Sequence, residues 1–154
     1  MKLIELNAAN LNLTFPIGHA FSAEAGRKPF RDDVFSQLWQ NLLESGLGKI
    51  YALVETWENG SCWELRCVAV LGATFLQDPF SGEMTAAEHF WYVVPEHRKS
   101  GIGLQLLDLF EKDAKDKGCS QVVMVHFMHM GAGLQKLYEA RGYKALEQTY
   151  KKEI

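Results

Sequence analysis

Three kinds of feature are scarce in this sequence: cysteines, long apolar runs and blocks of like charge. The 154 residues include only three cysteines, at positions 62, 67 and 119, and no C-x-x-C pair. An odd number of cysteines without close pairs argues against a disulfide-stapled extracellular domain and favours a reduced, cytoplasmic compartment. No apolar run approaches the roughly 20 residues that a membrane-spanning helix needs, so we expect no membrane partner.

The charges nearly balance, with 16 lysines and arginines against 19 aspartates and glutamates, and the formal net charge is −3. No basic stripe of the kind that follows a phosphate backbone is visible, so we expect no nucleic-acid partner. The long-range field of an acidic protein gives cationic substrates a mild advantage. The apolar fraction of 47% is typical of a globular chain, and the length fits one domain over residues 1–154.

Two common phosphate-binding motifs are absent as well. The dinucleotide motif G-x-G-x-x-G fits Gly101 and Gly103 but needs a third glycine where Leu106 stands. The Gly-Lys pair at residues 48–49 lacks both the first glycine and the following serine or threonine of the phosphate-binding loop. The sequence therefore supports neither of these nucleotide folds.

The most informative stretch is residues 88–104, which read EHFWYVVPEHRKSGIGL. An apolar run stops at Pro95, a glycine-bearing turn follows, and a leucine-rich helical pattern begins at once. A helix start leaves amide N–H groups unpaired and carries the positive end of the helix dipole. Gly101 and Gly103 allow an anion to approach the main chain, and Arg98 adds donors suited to phosphate oxygens. The turn is therefore a candidate anion site.

The pattern of apolar residues predicts a mixed α/β chain. Alternating or continuous apolar runs indicate strands, and the Asn-Gly pair at residues 59–60 indicates a hairpin. Apolar residues at three- and four-residue spacing indicate helices. The predicted strands are residues 2–6, 49–57, 62–75, 88–94, 121–127 and 143–151, and the predicted helices are residues 19–25, 31–44, 102–117 and 133–140.

The nearly continuous apolar run at residues 121–127 is typical of a central strand that is covered on both faces. It follows the strand at Glu88 through a helix, so the two strands are expected to be parallel and joined by a right-handed crossover. Divergence of such a pair would open a gap for a ligand. Gly72, inside a strand pattern, indicates a bulge or a close approach of the backbone.

Two motifs in this order resemble those of the GNAT superfamily of N-acetyltransferases. R-x-x-G-x-G at residues 98–103 resembles the acyl-CoA-binding motif of that family. L-Y-E-A-R-G-Y at residues 137–143 resembles its second signature, L-Y-E-x-x-G-[FY], with a predicted strand between the two. The resemblance implies a GNAT-like fold: a central, mostly antiparallel mixed sheet of about six or seven strands, helices on both faces, and a splayed parallel pair that binds CoA.

The same resemblance implies an enzyme that transfers an acetyl group from acetyl-CoA, the acyl donor, to a primary amine directly in a ternary complex. The acceptor would be a small-molecule or peptide amine, and a homodimer stays open. The strand backbone is implied to bind the pantetheine arm, and the turn to bind the pyrophosphate. The residues implied to bind the donor are Tyr92, Val93, Val94, Arg98, Lys99, Ser100, Gly101, Ile102, Gly103 and Leu104.

Acetyl transfer to an amine needs a base that takes a proton from the amine. The transfer is also helped by an acid that protonates the departing thiolate. Glu88 is the preferred base, and His89, Glu83 and a water relay stay open as alternatives. Tyr138 stands at the family's tyrosine position and is the implied acid. A phenol with a pKa of about 10 can donate a proton or a hydrogen bond to the leaving sulfur.

One residue departs from the family pattern: Gly131 stands where many relatives carry an asparagine that contacts the cofactor. A non-catalytic acyl-CoA-binding or protein-interaction module is therefore retained as an alternative, and transfer of a longer acyl chain as a third. No metal is expected, because the H-x-x-H pair of His126 and His129 lacks a nearby carboxylate. The acceptor is expected to bind against the N-terminal helical region and residues 77–85.

Overall fold

The computed structural model describes residues 1–60, 62–127, 129 and 132–154. Within them, five strands form one mixed sheet with four α-helices around it. The strands are β1 (Lys2–Glu5), β2 (Gly48–Asn59), β3 (Cys62–Gln77), β4 (Met84–Val93) and β5 (Gln121–Val123). The helices are α1 (Phe15–Glu24), α2 (Asp32–Glu44), α3 (Ile102–Asp116) and α4 (Gly133–Ala140), and Ala8–Thr14 and Pro95–His97 form short 3-10 helices.

The sheet has the spatial order β1-β2-β3-β4-β5. The first four strands pair antiparallel, and β5 pairs parallel with β4. In the central strand β3, all nine residues from 67 to 75 are buried. A strand covered on both faces needs apolar residues at every position, which explains why this segment reads as a continuous apolar run.

Helices cover both faces of the sheet, and two neighbouring residues of β4 show the two layers. Phe90 faces α2, where its ring centroid lies 5.1 Å from that of Trp39. Trp91 faces α3, and a Cβ placed on Gly103 would lie only 3.3 Å from its ring. Successive strand residues point to opposite faces, so each layer is specified by alternate side chains. No helix in the described part of the chain is long and apolar enough to cross a membrane.

α3 forms where the spacing of apolar residues predicts it. Its buried residues recur at three- and four-residue intervals and face the sheet. Gly118, with a φ of 72°, follows the helix and supplies the left-handed conformation that commonly ends one. The buried residues of this helix are Ile102, Leu106, Leu107, Phe110 and Ala114.

The fold class and the splayed parallel pair are confirmed, but two strand predictions are wrong. β5 has three residues and lies at the edge of the sheet, not at its centre. Residues 143–154 form neither helix nor strand, so the sheet has five strands and not six or seven. The chain leaves the sheet after Val123, and Met124 and Phe127 pack against the core instead of extending the strand. A strand at residues 143–151 would need a partner edge, and β5 offers only three residues.

A bulge in β4 confirms the prediction made from Gly72. Gly72 pairs with Phe90 and the next residue, Ala73, pairs with Glu88, so His89 is left without an opposite residue. The ring of Phe90 occupies the space beside Gly72, where a Cβ would lie 2.1 Å from it. The bulge therefore lies immediately beside the candidate base.

Candidate active site

β4 and β5 separate after three paired positions, of which the last joins Ala87 to Val123. β4 continues to Val93, so residues 88–93 have no strand neighbour on this side within the described part of the chain. An unpaired strand edge presents amide N–H and carbonyl groups to which an extended ligand can add like another strand. The divergence expected of the parallel pair is therefore present.

Glu88 is the first residue of β4 beyond the last pair, and its carboxylate lies in the opening. The side chain is buried, and its Oε2 accepts a hydrogen bond of 2.9 Å from the amide of Val125. Burial raises the pKa of Glu88 to about 7, against the smaller opposing effects of the Val125 amide and the charge of Arg27. A carboxyl group with a pKa near neutrality can take up and release a proton at neutral pH.

Tyr138 reaches the same point from α4. Its hydroxyl donates a hydrogen bond of 3.3 Å to the carbonyl oxygen of Val125. Burial raises the pKa of this phenol above its ordinary value, and the negative charge of Glu88 has the next largest effect in the same direction. The hydroxyl therefore keeps its proton. The two residues implied to be the base and the acid therefore meet at the backbone of one residue.

The other candidate bases are held by other contacts, although His89 also lines the cleft that Glu88 lines. His89 Nε2 lies 2.8 Å from the hydroxyl of Thr74, and its ring packs edge-on against Trp39. The residue is exposed overall, but partial burial of the ring lowers its pKa. Glu83 precedes β4 and accepts a hydrogen bond of 2.8 Å from the hydroxyl of Ser120. Of the three side chains, only Glu88 lies beside Tyr138.

The start of α3 is open to an anion. Gly101 precedes the helix in the left-handed conformation, with a φ of 85°, and none of the described side chains caps this end. A Cβ on Gly101 would meet nothing within 4 Å, whereas one on Gly103 would press on Val93 and Trp91. One glycine therefore keeps the helix start accessible, and the other lets α3 lie close against β4.

The turn before α3 is held mainly by its own backbone. The amide and hydroxyl of Ser100 both donate to the carbonyl oxygen of His97, at 3.4 and 2.6 Å. Lys99 is exposed and adopts a φ of 68°, which is uncommon for a residue with a side chain. Ser100 therefore stabilises the turn, and Lys99 presents a solvated charge beside it.

Arg98, expected to bind phosphate, is already engaged by two groups of the protein. Its Nη2 donates to Glu24 Oε2 at 2.6 Å and its Nε donates to the carbonyl oxygen of Val93 at 2.9 Å. The Tyr92 hydroxyl donates to the same Glu24 oxygen at 2.9 Å. The hydrogen bond from Arg98 is the main reason that the pKa of Glu24 lies below its ordinary value. A phosphate at this turn has to compete with Glu24 for the guanidinium.

The backbone of β4 corrects part of the expected donor site. The amide of Val94 donates to the carbonyl of Val68 at 3.0 Å, and its own carbonyl accepts from His97, so Val94 is not free to bind pantetheine. Backbone direction alternates along an antiparallel strand, so Tyr92 also faces β3. Val93 and Trp91 face the opening instead.

Trp91 was not singled out by the sequence motif. Its indole N–H is the one buried side-chain polar atom that lacks a hydrogen-bond partner among the described residues.

A solvent-open cleft of about 2330 Å³ borders this opening. Glu88 and Tyr138 line it together with Phe21, Arg27 and Phe127. Residues 98–104 are all described by the structure, and none of them lines the cleft. The cleft and the glycine turn are therefore two separate parts of the region around β4.

Residues 19–143 match the model of the acetyltransferase (GNAT) family. The chain belongs to this family. The match spans both motifs, the splayed strands and Tyr138, and it confirms the predicted family and an acyltransferase enzyme.

Solved structures share the fold of this GNAT acetyltransferase. A GCN5-related N-acetyltransferase from Ralstonia eutropha JMP134 is 23% identical with a TM-score of 0.73, and the match covers 99% of this chain and 97% of that one. The ribosomal-protein-alanine N-acetyltransferase from Brucella melitensis biovar Abortus 2308 is 21% identical with a TM-score of 0.68, over 100% of both chains.

A predicted acetyltransferase from Clostridium acetobutylicum, solved with acetyl-CoA, is 16% identical with a TM-score of 0.76, over 99% of this chain and 95% of that one. The comparison with curated proteins gives no match. At these identities the structures show a shared fold and do not identify the acceptor.

Two charged residues of this GNAT acetyltransferase escaped the sequence motifs. Glu24, at the end of α1, holds Arg98, and Arg27, just after that helix, acts on Glu88. Their only sequence signal is their position at the end of a predicted helix, which does not say where that helix lies against the sheet. Gly131, the departure from the family pattern, lies outside the described residues.

Proposed function

We propose that this GNAT acetyltransferase transfers an acetyl group from acetyl-CoA to a primary amine by direct attack in a ternary complex. The meeting of Glu88 and Tyr138 at Val125, in the opening between β4 and β5, is the observation that carries this proposal. Direct attack uses a base for the amine and an acid for the thiolate. A carboxyl with a pKa of about 7 beside a phenol that keeps its proton provides both.

The residues present fit acetyl-CoA as the acyl donor. The uncapped start of α3 supplies amide donors for the pyrophosphate, and the space beside Gly101 is open. The unpaired edge of β4 supplies backbone groups for the pantetheine arm. We assign the pyrophosphate to Lys99, Ile102, Gly103 and Leu104, joined by Arg98 once it leaves Glu24. We assign the arm to the backbone of Trp91 and the amide of Val93, since the Val93 carbonyl accepts from Arg98.

Glu88 takes the proton of the bound amine. A free alkyl amine has a pKa of about 10 and is mostly protonated at neutral pH, so it has to lose a proton before it attacks. Glu88 passes that proton to solvent, the nitrogen forms a bond to the acetyl carbonyl carbon as the carbon–sulfur bond breaks, and the nitrogen then gives its second proton to the Glu88 carboxylate. Tyr138 donates its proton, or a hydrogen bond, to the departing sulfur, and solvent carries the proton held by Glu88 back to the phenol.

The test separates donor binding from chemistry. Tyr138→Phe should lower kcat by about ten- to a hundredfold and leave the calorimetric Kd for acetyl-CoA unchanged, because the hydroxyl acts on the leaving group. Gly101→Trp should abolish acetyl-CoA binding, because the indole fills the open space at the helix start and any side chain strains the backbone at a φ of 85°. CoA release is measured across a broad panel of primary amines.

Failure of wild-type protein to bind acetyl-CoA at millimolar concentration would falsify the proposal. Full activity of Tyr138→Phe at every pH would remove the acid role. Stabilisation by acetyl-CoA without CoA release from any amine would favour the non-catalytic acyl-CoA-binding module, and faster release from longer thioesters would favour a longer acyl chain.

A further inference from the structure

One of the five arginines of the chain stands apart from the others. The other four each form an ion pair with a carboxylate, whereas Arg27 forms no ion pair or side-chain hydrogen bond with any described residue. The four pairs are Arg31–Asp33, Arg66–Glu96, Arg98–Glu24 and Arg141–Glu111. Arg27 is therefore the arginine whose guanidinium has no paired carboxylate among the described residues.

Aromatic rings and the backbone hold Arg27 in place without neutralising it. Its amide donates to the carbonyl oxygen of Ser22 at 2.9 Å, which fixes the main chain just after α1. Its guanidinium carbon lies 5.9 Å from the ring centroids of both Phe21 and Phe127. Contact with aromatic faces orients a guanidinium while its hydrogen-bond donors stay available.

The position of Arg27 relates it to the proposed base. Arg27 and Glu88 line the same cleft, and the charge of Arg27 acts on the Glu88 carboxyl. Phe127, which contacts Arg27, follows two residues after Val125, which binds Glu88. A ligand that presents an amine to Glu88 therefore extends within a cleft that also holds a free guanidinium.

We propose that Arg27 binds a carboxylate on the acceptor, so that the acceptors are amino acids and other amines that carry a nearby carboxylate. This inference rests on the proposed function and names its substrate class. The planar fork of a guanidinium matches the two oxygens of a carboxylate. The same charge repels polyamines and lysine-rich peptides, which the net charge of −3 would otherwise favour.

The experiment compares amino acids with their amides, in which a neutral carboxamide replaces the negatively charged carboxylate. Phenylalanine, leucine and alanine are assayed beside phenylalaninamide, leucinamide and alaninamide, with spermidine as a cationic acceptor. Rates are expressed per unprotonated amine, because the amides have the more acidic ammonium groups. We expect kcat/KM to favour each acid by about ten- to a hundredfold, the range of a charge-assisted hydrogen bond.

Arg27→Gln should lose this preference through a higher KM with kcat little changed, and Arg27→Lys should retain part of it. Lys28→Gln is the matched control, since it removes one exposed positive charge at the next position, and it should keep the preference. The melting temperature of each variant without ligand checks that it folds; Arg27 is exposed, so little change is expected.

The two proposals can fail separately. If the amides and spermidine are acetylated as fast as the amino acids, the proposed acceptor class is wrong and the proposed acetyl transfer still stands. If no amine is turned over, thermal shifts of the CoA complex with phenylalanine and phenylalaninamide decide instead. Stabilisation by the acid that disappears in Arg27→Gln supports the carboxylate site, and equal or absent stabilisation overturns it.

Discussion

The proposed donor side and the proposed acceptor side of β4 are formed by different chemical groups. On the donor side, the chain uses an unpaired strand edge, a turn and the uncapped start of α3, all of them backbone features. On the acceptor side, it uses side chains from distant elements, with Glu88 from β4, Tyr138 from α4 and Arg27 from the segment after α1.

The difference explains what each side can recognise. Backbone amides at a helix start bind any anion of suitable size, so the donor site can be shared by proteins with little sequence in common. Side chains from separate elements can change one at a time, so we expect specificity to be set at the proposed acceptor site. Arg98 and Arg27 show the contrast, since Glu24 neutralises the first and no described residue pairs with the second.

The largest expected effect tests whether the two sides are energetically separate. Glu88→Gln should lower kcat by about a hundred- to ten-thousandfold, because the amide cannot take a proton, while the Kd for acetyl-CoA stays unchanged. In wild type, kcat/KM should rise with pH through about 7 as Glu88 loses its proton. In Glu88→Gln, kcat/KM should lack this rise near pH 7 and keep only the pH dependence that comes from deprotonation of the acceptor amine.

Glu83→Gln is the matched control, because it removes an exposed carboxylate just before the same strand and tests an alternative base. Loss of the pH limb in this variant and its retention in Glu88→Gln would reverse the assignment. A parallel loss of acetyl-CoA affinity in Glu88→Gln would show that the two sides of β4 are not separate.

The same carboxyl should leave a mark on stability. The folded-state pKa of Glu88 is about 7, above its ordinary value of 4.5, so the folded protein holds a proton that the unfolded chain releases within this range. The stabilisation that the folded protein gains from protonated Glu88 is present in full below about pH 4.5, and it is lost as the pH rises to about 7. Relative to Glu88→Gln, wild type should lose roughly 3 kcal/mol of unfolding free energy across this window.

Urea denaturation of both proteins at pH 4.5, 6 and 8 measures this difference. Glu88→Gln is a suitable reference because its side-chain oxygen can still accept from the Val125 amide. Glu83→Gln should follow wild type across the range. If wild type and Glu88→Gln differ in free energy of unfolding by the same amount at all three pH values, burial does not raise the pKa of Glu88.

The sequence predicts the strand, turn and helix around the proposed donor site well, because their signals are local. Pro95 stops a strand, Gly101 starts a helix, and the apolar spacing of residues 102–117 fixes the face that α3 buries. The apolar run at residues 121–127 misleads for a physical reason. Apolar spacing cannot distinguish a strand from a segment that packs its side chains on the core, and Met124 and Phe127 do the latter.

The acceptor side depends on contacts that no local pattern contains. The family resemblance implies roles for Glu88 and Tyr138, but their meeting at Val125 depends on how α4 returns to the sheet. The pairing of Arg98 with Glu24 likewise depends on where α1 lies against β4. Such placements come from tertiary packing, so the motif identifies Arg98 but not its partner.

The ion pair between Glu24 and Arg98 joins α1 to the proposed donor turn, and it gives the smallest expected effect. Glu24→Gln should free the guanidinium and remove a negative charge near the pyrophosphate position, so acetyl-CoA should bind more tightly. Partly exposed ion pairs are worth about 1 kcal/mol or less, so the gain in affinity is up to about fivefold. Asp33→Asn removes a charge from an exposed ion pair on α2 and should leave the Kd unchanged.

A double-mutant cycle decides whether the gain acts through Arg98. In an Arg98→Gln background, Glu24→Gln should tighten acetyl-CoA binding less than it does in wild type, because no guanidinium remains to be released. Calorimetry at low and moderate salt measures all four proteins, and the gain should shrink as salt screens the charges. Equal gains in the two backgrounds would assign the effect to the negative charge of Glu24 alone. Arg98 would then form only a structural ion pair, as Arg31 and Arg141 do, and Lys99 and the backbone alone would bind the donor.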